Sequence, residues 1–221
     1  FPDPERRIVA MTDAIIYRGP DSSGIWVDAD AGVALGHRRL SIVDLSPAGH
    51  QPMTSASGRY VFVFNGEIYN HLQLRADLEV AGLAPAWRGL SDTETLIAGF
   101  DAWGVVTTIS RAVGMFAFAV WDRQSRKLIL GRDRIGEKPL YYGWQGEGKQ
   151  ATFLFGSELR ALRAHPACGS EINRGAVAQF MRHGHVGESN SIYQGLHKLP
   201  PGCLAELSLD RPEPAVTQYW S

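Results

Sequence analysis

Tyr60-Val61-Phe62-Val63-Phe64-Asn65-Gly66-Glu67 is the stretch from which the fold is read. Five bulky, strand-favouring residues give way to an amide side chain and a glycine. The pattern predicts a strand that ends at Phe64 and leaves backbone N–H groups exposed beyond it. Asn-Gly is also the commonest short hairpin signal, so a plain strand-ending turn is the alternative. A side-chain amide and a neighbouring main-chain N–H aimed at one point can instead stabilise the oxygen anion that forms when an amide carbonyl is attacked.

Upstream of that strand, Asp3-Pro4 predicts a helix start, with Ile8, Val9, Met11, Ile15 and Ile16 carrying the helix to about Tyr17. Arg18-Gly19-Pro20-Asp21 reads as a tight loop that an Arg-Asp pair can tie together. Ile25 to Val27 and Val33 to Leu35 read as a strand pair, followed by Gly36-His37-Arg38-Arg39-Leu40-Ser41-Ile42-Val43-Asp44. Adjacent residues of a strand point to opposite faces, so at most one of Arg38 and Arg39 can face a pocket. Surface charge with a local Arg-Asp pair is the structural alternative there.

Downstream, Asn70 with Gln73 predicts a capped helix carrying Leu74, Leu78 and Ala81. Ser91-Asp92-Thr93-Glu94 is a capping box, with Leu96, Ile97, Phe100 and Trp103 as the buried stripe behind it. The helix dipole alone accounts for Asp92 in a first turn. Met115 to Trp121, Leu128 to Leu130, Leu140 to Tyr142, Thr152 to Phe155 and Leu204 to Leu207 read as further strands, and Glu158 to Arg163 and Arg174 to Arg182 as short helices. Many strands with helices in separate blocks favour α+β, with antiparallel sheets covered by helices. Residues 1–210 read as one domain. Residues 211–221 turn Pro-rich and irregular, as the start of a linker does.

A chain of 221 residues, 44% hydrophobic and 20% charged, suffices for one large core. A formal net charge of -1 with mixed signs gives no footprint for nucleic acid or a membrane surface, leaving a small molecule or another protein domain as partner. No apolar run approaches the roughly 20 residues needed to span a bilayer, and the chain reads as soluble and cytoplasmic. Cys168 and Cys203 match neither a disulfide framework nor a zinc pattern, and His183-Gly184-His185 reads as loop rather than metal ligands.

Taken together, several segments resemble the class II glutamine amidotransferase domain of glutamine-hydrolysing asparagine synthetases. They are Arg18 to Asp21, Gly36 to Asp44, Phe64-Asn65-Gly66-Glu67-Ile68-Tyr69-Asn70, Ser91 to Glu94, Gly114 to Ala119, Arg132 to Tyr141 and Ser157-Glu158. The likeness covers nearly the whole chain, with Tyr17 standing where the family usually has histidine. It implies an N-terminal nucleophile hydrolase fold, a four-layer αββα sandwich of two antiparallel sheets between helix layers.

The resemblance also implies roles. Asn65 and the Gly66 N–H would form the oxyanion hole. Arg39 would bind the α-carboxylate of glutamine, and Glu67 and Asp92 its α-ammonium, with Leu40, Ile42 and Val43 lining the pocket. A zwitterion needs fixed charges of both signs, and Arg suits bidentate carboxylate recognition. No cofactor is implied for this domain. ATP and Mg²⁺ are expected only in a C-terminal synthetase domain, and a homodimer is compatible with the family.

The family's nucleophile is an N-terminal cysteine, whereas this sequence begins with Phe1. Neither Cys168 nor Cys203 lies in a matching motif, so a Cys-Gly-containing strand is expected ahead of Phe1. Two other readings stay open, a non-catalytic scaffold resembling that of β-lactam synthetases and an amidotransferase serving a different acceptor.

Overall fold

The strand that begins at Tyr60 runs unbroken to Ile68, pairing with a neighbour from Tyr60 opposite Asp122 to Ile68 opposite Gly114. The expected end at Phe64 is therefore corrected, and Asn65-Gly66 is no turn. Gly66 lies where a Cβ would run into the Met115 carbonyl oxygen and Phe116, so the glycine serves a close approach of two strands rather than a reversal.

The computed structural model describes residues 3–41, 46–187, 189–208 and 211–221. In chain order its elements are α1 (Pro4–Asp13), β1 (Ser22–Asp28), β2 (Val33–Arg39), β3 (Met53–Thr54), β4 (Tyr60–Ile68), α2 (His71–Val80), α3 (Asp92–Trp103), α4 (Val105–Arg111), β5 (Gly114–Asp122) and β6 (Lys127–Arg132). Then follow β7 (Tyr141–Gln145), β8 (Thr152–Gly156), α5 (Leu159–Arg163), α6 (Arg174–His183), β9 (His197–Lys198), β10 (Cys203–Ser208) and β11 (Arg211–Gln218). Six strands form one sheet in the order β11-β10-β6-β5-β4-β3, and β1-β2 and β8-β7-β9 form two smaller ones. Every pairing between these strands is antiparallel.

Alternation along β4 and β5 builds two cores on opposite faces of the large sheet. Phe62, Phe64, Phe116 and Phe118 point one way and pack with Leu96, Ile97, Phe100 and Ile109 of α3 and α4. Phe100 meets Phe62 edge-on at 5.1 Å between ring centroids. Val61, Val63, Ala117, Ala119 and Trp121 point the other way, against Leu35 of β2 and Tyr142 of β7. A third cluster joins Met11 of α1 to Leu154 of β8 and Leu162 of α5. The layers thus run helices, six-stranded sheet, smaller sheets, helices, and the expected αββα order holds. The second sheet is divided between β2 and β8.

Four local expectations change. α1 ends at Asp13, and a short 3-10 turn covers Ile16–Arg18. Arg18 does not tie to Asp21; it pairs with Glu158 at 2.7 Å, while Asp21 accepts the Ser41 N–H at 2.8 Å. Asn70 makes no side-chain cap and instead bridges to Arg111 O and Val113 N. The Pro-rich tail forms β11, an edge strand with a register shift between Glu206 and Ser208 of its partner, where missing N–H donors are tolerated.

Candidate active site

The exposed backbone foreseen at Asn65 exists, but as a sheet edge. Phe116 uses its N–H and C=O on Asp133, accepted at 3.2 Å and donated to at 2.8 Å, so it has none left for Gly66 opposite. Antiparallel strands alternate bonded and non-bonded pairs, so Phe64, Gly66 and Ile68 turn their N–H and C=O groups away from β5. That edge lies past the end of β3, which pairs only with Val61 and Phe62.

Side chains fill most of it. Phe64 N–H donates to Gln51 Oε1 at 2.6 Å, Phe64 O lies 3.0 Å from His37 Nε2, and Ile68 N–H donates to Asp92 Oδ2 at 2.9 Å. The Gly66 N–H points out between these occupied positions. Odd residues of β4 face the smaller sheets, and there the Asn65 Nδ2 atom is buried without a hydrogen-bond partner among the described residues. Consecutive residues of β4 thus carry two donors, the Asn65 amide on the face toward the smaller sheets and the Gly66 N–H on the edge, the kinds of group able to polarise a carbonyl.

The predicted charged residues lie on β2, β4 and α3. Arg39 ends β2 on the same face as His37, while Arg38 turns to the opposite side and pairs with Asp13 on α1, so only one of the two arginines faces the inter-sheet space. Arg39 Nη1 donates to Ser46 O at 3.0 Å, and its guanidinium lies against Gly49, where a Cβ would clash with it. Glu67 is exposed, two residues beyond Asn65 on one face of β4. Asp92, 7% exposed, opens α3, and its other oxygen accepts the Thr93 N–H at 2.7 Å. Burial pushes its carboxyl up, partly offset by the Ile68 and Thr93 N–H bonds. Leu40 is exposed. Ile42 and Val43 lie outside the described residues.

A slot of about 310 Å³ opens beside Asn65, walled by β2 and β8, floored by Val63, Ala117 and Ala119 and roofed by Ile8 and Met11 of α1 and by Ile15 just after it. Among the described residues β2 pairs with β1, apart from a single bridge from Pro20 to Arg39, and β8 pairs with β7, so each wall presents a strand edge with no ladder to a further strand. Among the described residues, no group of three His, Cys, Asp or Glu side chains has the geometry of a metal site, and no helix is long and apolar enough to cross a membrane.

The family model of a glutamine amidotransferase domain matches residues 2–220. The chain belongs to that family. A relative from Mycobacterium bovis is 37% identical over 226 residues, covering 99% of this chain and 34% of its own length. The Bacillus subtilis protein named asparagine synthetase (glutamine-hydrolyzing) 3 is 34% identical over 214 residues, covering 96% and 33%. The amidotransferase domain thus spans about a third of the length of these relatives. Among solved structures, the glutamine phosphoribosylpyrophosphate amidotransferase from B. subtilis superimposes with a TM-score of 0.66 at 18% identity, over 96% of this chain and 46% of its own, a likeness of fold.

Three residues that hold backbone groups beside this edge, His37, Gln51 and Asp133, receive no role from the sequence, although His37 and Asp133 lie within quoted segments. Gln51 sits in a stretch that reads as loop, yet it is 6% exposed. Asp133, fully buried, accepts the backbone N–H groups of Phe116, Ile135, Glu137 and Lys138 and so shapes the loop beside the site.

Proposed function

We propose that this domain binds glutamine and hydrolyses its side-chain amide to glutamate and ammonia through a cysteinyl thioester. The observation that supports the reading is the Asn65 amide, buried without a partner among the described residues and lining an open slot, with Gly66 next to it in β4. A thiolate adds to the amide carbonyl, and the two donors stabilise the oxyanion. Collapse of the adduct expels ammonia, and water then attacks the thioester, returning the thiol and releasing glutamate. Arg39 takes the α-carboxylate, and Glu67 and Asp92 the α-ammonium.

The nucleophile comes from a strand ahead of Phe1, seated in the slot. Two unpaired strand edges facing each other across an apolar floor support this, because one extended segment satisfies both and joins the smaller sheets into one. Small floor residues, Ala117 and Ala119, leave room for it. Ammonia then passes to an aspartate activated by ATP and Mg²⁺ in a C-terminal synthetase domain, in keeping with relatives about three times as long. The test is incubation of the full-length protein with glutamine alone. Release of glutamate and ammonia is expected; no release would leave a non-catalytic scaffold.

A further inference from the structure

His37, half-buried with its Nδ1 atom fully so, has no part in the chemistry above, yet it bonds the strand that carries Asn65. β2 carries it on the face that looks toward β4, and its Nε2 lies 3.0 Å from Phe64 O. A carbonyl only accepts, so Nε2 bears the ring proton and Nδ1 keeps a lone pair. Nδ1 is buried without a hydrogen-bond partner among the described residues. The ring is lowered from its ordinary 6.5 to about 4, chiefly by burial, with the bond to Phe64 opposing and Arg39 on its own strand and His50 in the following loop adding to the fall. The ring is therefore a neutral, one-directional donor at physiological pH.

Phe64 O belongs to the peptide group that also contains the Asn65 N–H, so whatever holds this oxygen sets the plane from which Asn65 departs. It is also the only carbonyl on the edge between the Phe64 and Gly66 N–H groups. Left free, it would turn a lone pair toward any anion bound at Gly66. With Gln51 on the Phe64 N–H and His37 on its C=O, both backbone groups before the donor pair are occupied.

Resting on the glutaminase reading, we propose that His37 is the positioning residue of the oxyanion site, clamping Phe64 O so that the Asn65 amide and the Gly66 N–H stay aimed at the substrate carbonyl. A misplacement of roughly 1 Å costs about 10²-fold in rate. His37→Leu removes the clamp. His37→Gln places an amide N–H near the Nε2 position, whereas His37→Asn is too short to do so.

The experiment measures kcat and KM for glutamine in the full-length protein and these three variants. His37→Leu and His37→Asn should lose about 10²-fold in kcat with KM within about threefold, and His37→Gln should recover most of the loss. Equal losses in all three, parallel changes in KM, or a His37→Leu enzyme with wild-type kcat would overturn the proposal. A second readout needs no turnover, the NMR resonances of the Asn65 side-chain amide and the Gly66 N–H. They should move in His37→Leu and return in His37→Gln; unmoved resonances reject the clamp. A wild-type protein that releases no glutamate would remove the glutaminase reading, and the resonances alone would then decide on His37.

Discussion

Asp92 Oδ2 accepts the Ile68 N–H at 2.9 Å, which ties the first turn of α3 to the last residue of β4. The carboxylate assigned to the α-ammonium of glutamine is thus also a structural clamp. Its two roles separate by substitution. Asp92→Asn keeps an oxygen for Ile68 but removes the charge and the acceptor of the Thr93 N–H, so KM for glutamine should rise at least tenfold while stability falls less than in Asp92→Ala. Asp92→Ala should raise KM and also destabilise, because the buried Ile68 N–H loses its acceptor. An unchanged KM in Asp92→Asn would take the residue out of the substrate site.

Arg39→Lys should also raise KM for glutamine by about tenfold or more, since an ammonium replaces a planar fork suited to a carboxylate. Michaelis constants for Arg39→Lys and Arg38→Lys make the comparison. Arg38 faces α1, so its variant should bind glutamine as the wild type does. A larger effect at Arg38 would reverse the assignment of the two strand faces.

Asp133→Ala should be among the most destabilising single changes. Four backbone N–H groups lose one acceptor, and a buried donor left unpaired costs about 1 to 3 kcal/mol. A loss of about 3 kcal/mol or more, read from denaturant unfolding, is the expected outcome. A midpoint equal to wild type would show that the 133–138 loop holds itself.

The low pKa of His37 makes a prediction for acid stability. Burial holds the folded ring at about 4 against an ordinary 6.5, so between these values the unfolded chain takes up a proton that the folded chain refuses. The neutral ring's contribution is complete above about pH 6.5 and is lost as pH falls toward 4. At about 1.4 kcal/mol per pKa unit, the loss is about 3 kcal/mol. Unfolding free energies at pH 7 and pH 4.5 should differ less in His37→Gln than in wild type; an equal pH dependence would contradict the buried neutral ring.

Much of this molecule is legible in local sequence. Alternation in Val61, Val63 and Asn65 against Phe62 and Phe64 gives the two faces of β4, and the Leu96, Ile97 and Phe100 stripe gives the buried side of α3. Chain punctuation reads less well. Gly66 breaks a strand by propensity but continues one here, because pairing with β5 outweighs the entropy of one glycine. Pro212 and Pro214 argue against a strand in general and are tolerated in β11 because it is an edge. Partnerships across long separations are the least legible. His37 and Gln51 meet Phe64 from 27 and 13 residues away, and Arg18 meets Glu158 from 140, so no local pattern encodes them.

On the proposed function, a glutamine-binding oxyanion site at the mouth of the slot is completed by a cysteine carried by a preceding strand. Labelling the full-length protein with an electrophilic glutamine analogue, followed by peptide mass spectrometry, tests it most directly. One adduct is expected, on a cysteine preceding Phe1, blocked by excess glutamine and formed more slowly in Asn65→Ala. An adduct on Cys168 or Cys203, or labelling that glutamine does not block, would contradict it.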